Sequence, residues 1–335
     1  MTRRQPSGPA AAPALDRAPR SRSLGRCRPP AGSKPLQFVT SGILNVDKPT
    51  GWTSFDVVRF VRGRCGERRV GHAGTLDPAA TGVLPLLLGQ ATRLTEYLVD
   101  ATKTYEATVL LGVETDTYDA EGEVLARTDA SGVTRDAVEA VLPAFRGEIM
   151  QTPPLYSAIK REGEALYRKA RRGESVELEP RPVRVEKLDI MSFQPPFLGL
   201  RIVCGKGFYV RSLAHDIGAV LGIGGSLTEL RRTRVGNFRA QDAVGVEALR
   251  EELASGAWQG RLYAPDEVLL TRRAAILGDE NETRLRHGAG PLLAPDAIAA
   301  KPDEVCRAYS AAGEFLAVLR AAGEREWRPE KVFVT

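Results

Sequence analysis

From Ser41 onward, segments with strand periodicity and segments with helix periodicity succeed one another without regular alternation. A chain patterned in this way is not built of the repeated strand–helix units of a doubly wound sheet, so an α+β domain with a mixed, largely antiparallel sheet and flanking helices is expected. GILNVDKP, KTYEATVLLGV, RPVRVEKLDIMSF and LGLRIVCG read as strands. DVVRFVRGR, ATRLTEYLVD, RDAVEAVLPAF, YVRSLAHDIGAVLG and VGVEALREEL read as helices, with Thr53 or Ser54 capping the first. TDTYDAEGE is turn-rich, and the basic segment 160–172 is placed on or beside a short helix.

Three regions differ in composition. Residues 1–40 are rich in Arg, Pro, Ala, Gly and Ser and carry no apolar period, which predicts a disordered basic tail. Its proline content argues against the amphipathic helix of a transit peptide and for a solvated tail with mild affinity for RNA. Residues 41–255 form the main domain. From 266 to 335, turn dipeptides alternate with short runs such as FLAVLR and KVFV, predicting a small β-rich domain. No stretch approaches the roughly 18 apolar residues that cross a bilayer, and the first residues lack the apolar centre of a secretory signal. A cytoplasmic protein without membrane partners is expected. Cys27, Cys65, Cys204 and Cys306 form no CxxC pair, so neither a zinc site nor a disulfide framework is indicated.

The net charge of +5 is misleading as a sign of nucleic-acid binding. Eight Lys and Arg against one Asp give the first 40 residues +7, leaving −2 for the remainder. Local clusters must carry any case for RNA. Three exist, RFVRGRCGERR (59–69), KREGEALYRKARR (160–172) and RRTRVGNFR (231–239), each near +4. Any one reads as a solvated face; three in an otherwise acidic region suggest a surface that follows phosphates.

Two further segments combine glycines with reactive side chains. GHAGTLDPAATGVLP (71–85) has three glycines, His72 and Asp77. It suits a loop that approaches a ligand closely, though Asp-Pro by itself reads as a turn or helix start and one histidine as structural. Neither phosphate-loop pattern occurs there. GKGFYVRSLAHDIG (205–218) places Arg211 in the first turn of a helix with His215 one turn on. A base-binding enzyme would use such a guanidinium to keep a carboxylate ionised and a tyrosine to stack on the heterocycle.

Taken in order, GILNVDKPTGWTSFDVV, GHAGTLDPAATGVLPLLLGQATRLTEYL, KTYEATVLLGVETDTYDAEG, QTPPLYSAIKREGEALY, GKGFYVRSLAHDIG and GGSLTELRRTRVGNF closely resemble the TruB family of tRNA pseudouridine synthases, over about residues 41–245. AYSAAGEFLAV and WRPEKVFV resemble the small PUA-type RNA-binding domain attached to these enzymes. The resemblance implies a pseudouridine-synthase-like fold, no cofactor, no metal, a monomer, and the T arm of tRNA as partner. The substrate it implies is the T-loop uridine that tRNA numbering calls 55. It further implies Asp77 as the nucleophile, Tyr105 stacking on the base, and Tyr209 and Arg211 completing the pocket, with Arg211 paired to Asp77. His72 would contact the flipped nucleotide, Leu230 would line the pocket, and Lys48 and Pro49 would pack behind it. Gly205, Phe208 and Asn45 depart from the family pattern without touching these positions.

The chemistry requires the uridine to leave its stack, at a cost of a few kcal/mol. A carboxylate can then attack C1′ or C6, or remove the C2′ proton to give a glycal. Two other classes are weighed. A noncatalytic RNA-binding or RNA-folding protein would need only the basic clusters and C-terminal domain. A glycosidase would need a second carboxylate beside Asp77, and the motif offers none.

Overall fold

The computed structural model describes residues 41–155, 160–161, 164–165, 178–291, 300–323 and 326–333. The basic tail lies outside them. In chain order the first elements are β1 (Gly42–Lys48), α1 (Ser54–Arg62), β2 (Val70–His72), β3 (Thr81–Leu88), α2 (Thr95–Asp100), β4 (Lys103–Leu111), β5 (Val113–Thr115), β6 (Val124–Arg127), α3 (Arg135–Val141) and β7 (Gly147–Gln151). Then come β8 (Lys160–Arg161), β9 (Glu164–Ala165), β10 (Arg181–Gln194), β11 (Phe197–Cys204), α4 (Val210–Val220), β12 (Gly225–Val235), β13 (Phe238–Arg239), β14 (Val244–Gly245), α5 (Val246–Ser255) and β15 (Leu262–Tyr263). The last are β16 (Arg273–Leu277), α6 (Asp279–Arg286), β17 (Val305–Ser310), β18 (Phe315–Ala321) and β19 (Trp327–Val332).

One large mixed sheet runs β14-β1-β3-β12-β4-β11-β10-β7, parallel between β1 and β14 and between β3 and β12 and antiparallel elsewhere along that path. This is the α+β architecture expected from the irregular order of elements. The β3–β12 crossing needs a glycine. Gly82 sits at φ 105°, and a Cβ there would come within 2.2 Å of the Arg232 carbonyl oxygen. No other residue can pass so close to the neighbouring backbone.

Buried apolar groups from β4, β10, β11 and β12 pack with Leu213, Ala214 and Ile217 of α4, fixing that helix on the sheet. A second cluster joins α1 and α5 to β1 and β3. Four strands, β16-β17-β18-β19, make a small C-terminal sheet, and Val305 and Val318 from it share a core with Leu94, Leu98 and Phe238 of the larger body.

Lys160–Arg161 and Glu164–Ala165 pair as a short antiparallel ladder; the rest of the 160–172 segment, with Arg168, Lys169, Arg171 and Arg172, lies outside the described residues. One expectation is corrected: the 231–239 run is not a uniformly solvated face. Successive strand residues point to opposite sides, and on β12 this leaves Arg231 partly exposed while Arg232 is fully buried.

Candidate active site

Asp77 lies in the loop between β2 and β3, and the loop is fastened from three sides. Thr53 caps α1 through a reciprocal capping box with Asp56, which frees the Ser54 hydroxyl. Ser54 Oγ accepts from Leu76 N at 2.8 Å and donates to Leu76 O at 3.2 Å. Behind the loop, the buried Lys48 ammonium donates to the carbonyls of Pro49 (2.9 Å), Trp52 (2.6 Å) and Pro78 (3.1 Å). Burial pushes its pKa down to about 8, although Asp77 acts in the other direction. From the sheet, Arg232 Nε donates to Val83 O at 2.8 Å and Nη2 to Gly74 O at 3.0 Å. Pro78 presets the turn that Ala80 N closes on Asp77 O at 3.1 Å.

The second half of the site is the start of α4. Tyr209 is its N-cap residue, and its backbone is clamped at both ends by the buried Gln151. Tyr209 N donates to Gln151 Oε1 at 2.9 Å and Gln151 Nε2 donates to Tyr209 O at 3.0 Å. Ser212 Oγ adds a bond to Thr152 O at 2.7 Å. So tethered, α4 delivers Arg211, 6% exposed, to the carboxylate: Arg211 Nε lies 3.0 Å from Asp77 Oδ2. The same guanidinium reaches Thr117 O at 3.4 Å and Asp119 Oδ2 at 3.5 Å through Nη1.

Between these halves lies a cavity of about 260 Å³, walled by Asp77, Tyr105, Tyr209, Arg211 and Leu230 among others. Five of the six residues singled out from the sequence thus meet. His72 does not line it: it sits on β2 opposite Leu86, with Nδ1 buried and without a hydrogen-bond partner among the described residues. Burial, then Arg232, lowers the His72 pKa, so the imidazole is neutral. Lys103, Lys206 and Arg232 also border the cavity, which is more cationic than the expected apolar pocket. Neither Arg232 nor Lys103 stands out in the sequence, but the adjacent Arg231-Arg232 pair, once placed on a strand, requires one of the two to face inward.

Burial raises the Asp77 carboxyl above its ordinary value, Arg211 opposes that rise, and Asp119 adds to it. The side chain is still 44% exposed through the cavity mouth. The upward push is therefore moderated by water at the cavity mouth. Burial also raises Tyr105, with the Arg232 guanidinium pulling the other way, so the phenol keeps its proton. Cys204 is pushed up to about 12 by burial and offers no thiolate. The site thus presents one carboxylate, Asp77, at a cavity walled in part by Tyr105, Phe208 and Tyr209. Asp119 is the second carboxylate nearby, yet it stands behind Arg211 and outside the cavity wall, and its Oδ1 accepts from Thr117 Oγ1 at 2.6 Å. It is not placed as the facing partner a glycosidase requires.

Among the described residues no group of three or more His, Cys, Asp or Glu is arranged to hold a metal, and no helix is long and apolar enough to cross a membrane.

Residues 62–210 match the family described as TruB family pseudouridylate synthase (N terminal domain), and residues 211–271 match the tRNA pseudouridylate synthase B C-terminal domain. A protein named tRNA pseudouridine synthase B from Dehalococcoides mccartyi is 43% identical over 293 residues, which is 88% of this chain and 96% of that protein. One of the same name from Stutzerimonas stutzeri is 49% identical over 260 residues, 77% of this chain and 85% of that protein. A solved structure of a Cbf5-Nop10-Gar1 complex is similar with a TM-score of 0.69 and 26% identity, covering 88% of this chain and 86% of that one.

Proposed function

We propose the substrate position and the catalytic groups from one premise, that this chain belongs to the TruB family of tRNA pseudouridine synthases. Its substrate is the T-loop uridine that tRNA numbering calls 55, and Asp77 is the nucleophile. The observation that carries the assignment is the 3.0 Å contact between Arg211 Nε and Asp77 Oδ2 at a cavity walled by Tyr105 and Leu230. A carboxylate that must attack needs to stay charged when a base seals it from water, and a buried guanidinium fixed on it does that.

The reaction breaks N1–C1′ and forms C5–C1′; N1 takes up a proton and C5 releases one, so the product is an isomer of the substrate. The flipped uracil enters against the Tyr105 ring, with Leu230 excluding water and Tyr209 completing the wall. Asp77 serves equally for attack at C1′, addition at C6 or removal of the C2′ proton. His72, on β2 beside the Asp77 loop, contacts the flipped nucleotide from off the cavity wall. Residues 41–255 form the catalytic domain, and the small sheet within residues 266–335 grips the surrounding RNA backbone.

The test is pseudouridine formation in a T-arm stem-loop by wild type and Asp77→Asn. Loss of a nucleophile abolishes turnover while phosphate contacts keep affinity within a few-fold. Comparable turnover by the variant refutes the role of Asp77, and modification of another uridine refutes the substrate.

A further inference from the structure

Arg211 is held from outside the cavity as well as from within it. Two of its partners there, Thr117 O and Asp119, flank a single residue, Tyr118, whose φ is 64°. The left-handed region is uncommon for an aromatic residue and persists where the surroundings over-determine it. Here they do. Leu227 N donates to Tyr118 O at 3.0 Å and Ala120 N to Leu227 O at 2.9 Å, hanging the loop on β12. Thr115 Oγ1 donates to Asp119 O at 2.7 Å. On the other side, the Tyr118 ring stacks on the imidazole of His215, with centroids 4.0 Å apart and planes at 26°.

His215 follows Arg211 by one turn of α4, so the stack joins the loop to the helix face that carries the guanidinium. The imidazole is itself fixed from two directions. Nδ1 lies 3.1 Å from Asp216 Oδ1 on its own helix, and Nε2 lies 3.5 Å from Glu114 Oε1 on β5, the strand that leads into the loop. The hydrogen bond to Asp216 raises its pKa, with Glu114 adding to the effect.

We propose that Tyr118 and His215 are positioning residues for the isomerisation, their stack clamping residues 115–122 to α4 so that Thr117 O and Asp119 hold Arg211 in one orientation on Asp77. The proposal rests on the roles given to Asp77 and Arg211 above. An arginine with one partner keeps several rotamers; partners on two sides remove that freedom before substrate arrives, which is how positioning lowers a barrier. Neither ring lines the cavity, so neither acts by touching the base.

The test compares kcat and KM on a tRNA transcript for wild type, Y118N, Y118F, H215A, H215F, D119N and the double variant Y118N/D119N. Asparagine is among the residues best tolerated at positive φ, so Tyr118→Asn removes the ring without adding backbone strain. Y118N and H215A should each lower kcat about tenfold with KM changed by less than about twofold. Y118F and H215F keep an aromatic face and should retain most of the wild-type kcat. Y118N should add little to D119N, because both act through the same guanidinium. Wild-type kcat in Y118N or H215A overturns the proposal. So does a loss in Y118N/D119N equal to the product of the single losses, since the ring would then support the fold in general and not Arg211. The effect of Asp77→Asn reports on the parent assignment separately, because the present inference is read only from ratios among the 118, 119 and 215 variants.

Discussion

Replacing Arg232 with methionine separates the charge reading of the 231–239 run from its structural one. Arg232 is 0% exposed, and it donates to Val83 O at 2.8 Å and Gly74 O at 3.0 Å. Methionine fills much of the volume of the arginine stem, so the packing loss is small. The buried Val83 carbonyl and the half-buried Gly74 carbonyl lose their donor, at about 1–3 kcal/mol each. Part of that is returned because the buried guanidinium no longer has to be desolvated, leaving a net loss of about 2–4 kcal/mol. At about 2–4 °C per kcal/mol for a body of this size, the melting temperature should fall by about 4–16 °C. Gly74 belongs to the Asp77 loop, so kcat should fall too, by about tenfold for a displacement of a fraction of an ångström. A phosphate-contacting arginine would instead contribute about one unit to the slope of log affinity against log salt, and a buried one contributes none. Thermal unfolding and tRNA titrations at several salt concentrations decide between them. An unchanged melting temperature together with a slope shallower by one unit would refute the burial argument.

Other perturbations follow from the same geometry. Because burial lifts Asp77 above its ordinary 3.8 and its proposed role needs the carboxylate form, kcat should decline as pH falls through that raised value; an acid limb with its midpoint at or below 3.8 would contradict it. Gly82→Ala places a Cβ 2.2 Å from Arg232 O at φ 105°, and urea unfolding should report a loss of more than about 3 kcal/mol; a loss under about 1 kcal/mol would mean the β3–β12 crossing yields easily. Neutralising Arg168, Lys169, Arg171 and Arg172 together should flatten the salt dependence of tRNA binding by about one unit for each phosphate that the variant no longer neutralises. Parallel lines for wild type and variant would place the RNA-binding surface elsewhere.

Much of the fold was legible because its signals are local. Thr53 before an apolar-periodic run marks the start of α1, the periodic run after Tyr209 marks α4, and the alternating run from Lys103 marks β4. Asp77 and Arg211 stood out through motifs that resemble a family, while their local chemistry alone supported a turn residue and a helix-start cation. The ladder of Lys160–Arg161 with Glu164–Ala165 was not legible in the sequence, which places this segment on or beside a short helix. Local propensity is a weak guide where so few residues are involved.

What the sequence determined by itself is the set of short-range choices: which residues cap, turn and alternate, and which side chains are available for chemistry. Which of them meet was decided by the tertiary structure. Asp77 and Arg211 are 134 positions apart by their numbering, and they come together because α4 packs on β4 and β12 while Ser54, Lys48 and Arg232 fasten the loop opposite. The same packing turned Arg232 inward, put Asp119 behind Arg211, and left His72 off the cavity wall. The physical reason is that burial and long-range pairing depend on the sum of interactions across the sheet, and no single segment carries that sum within its own residues.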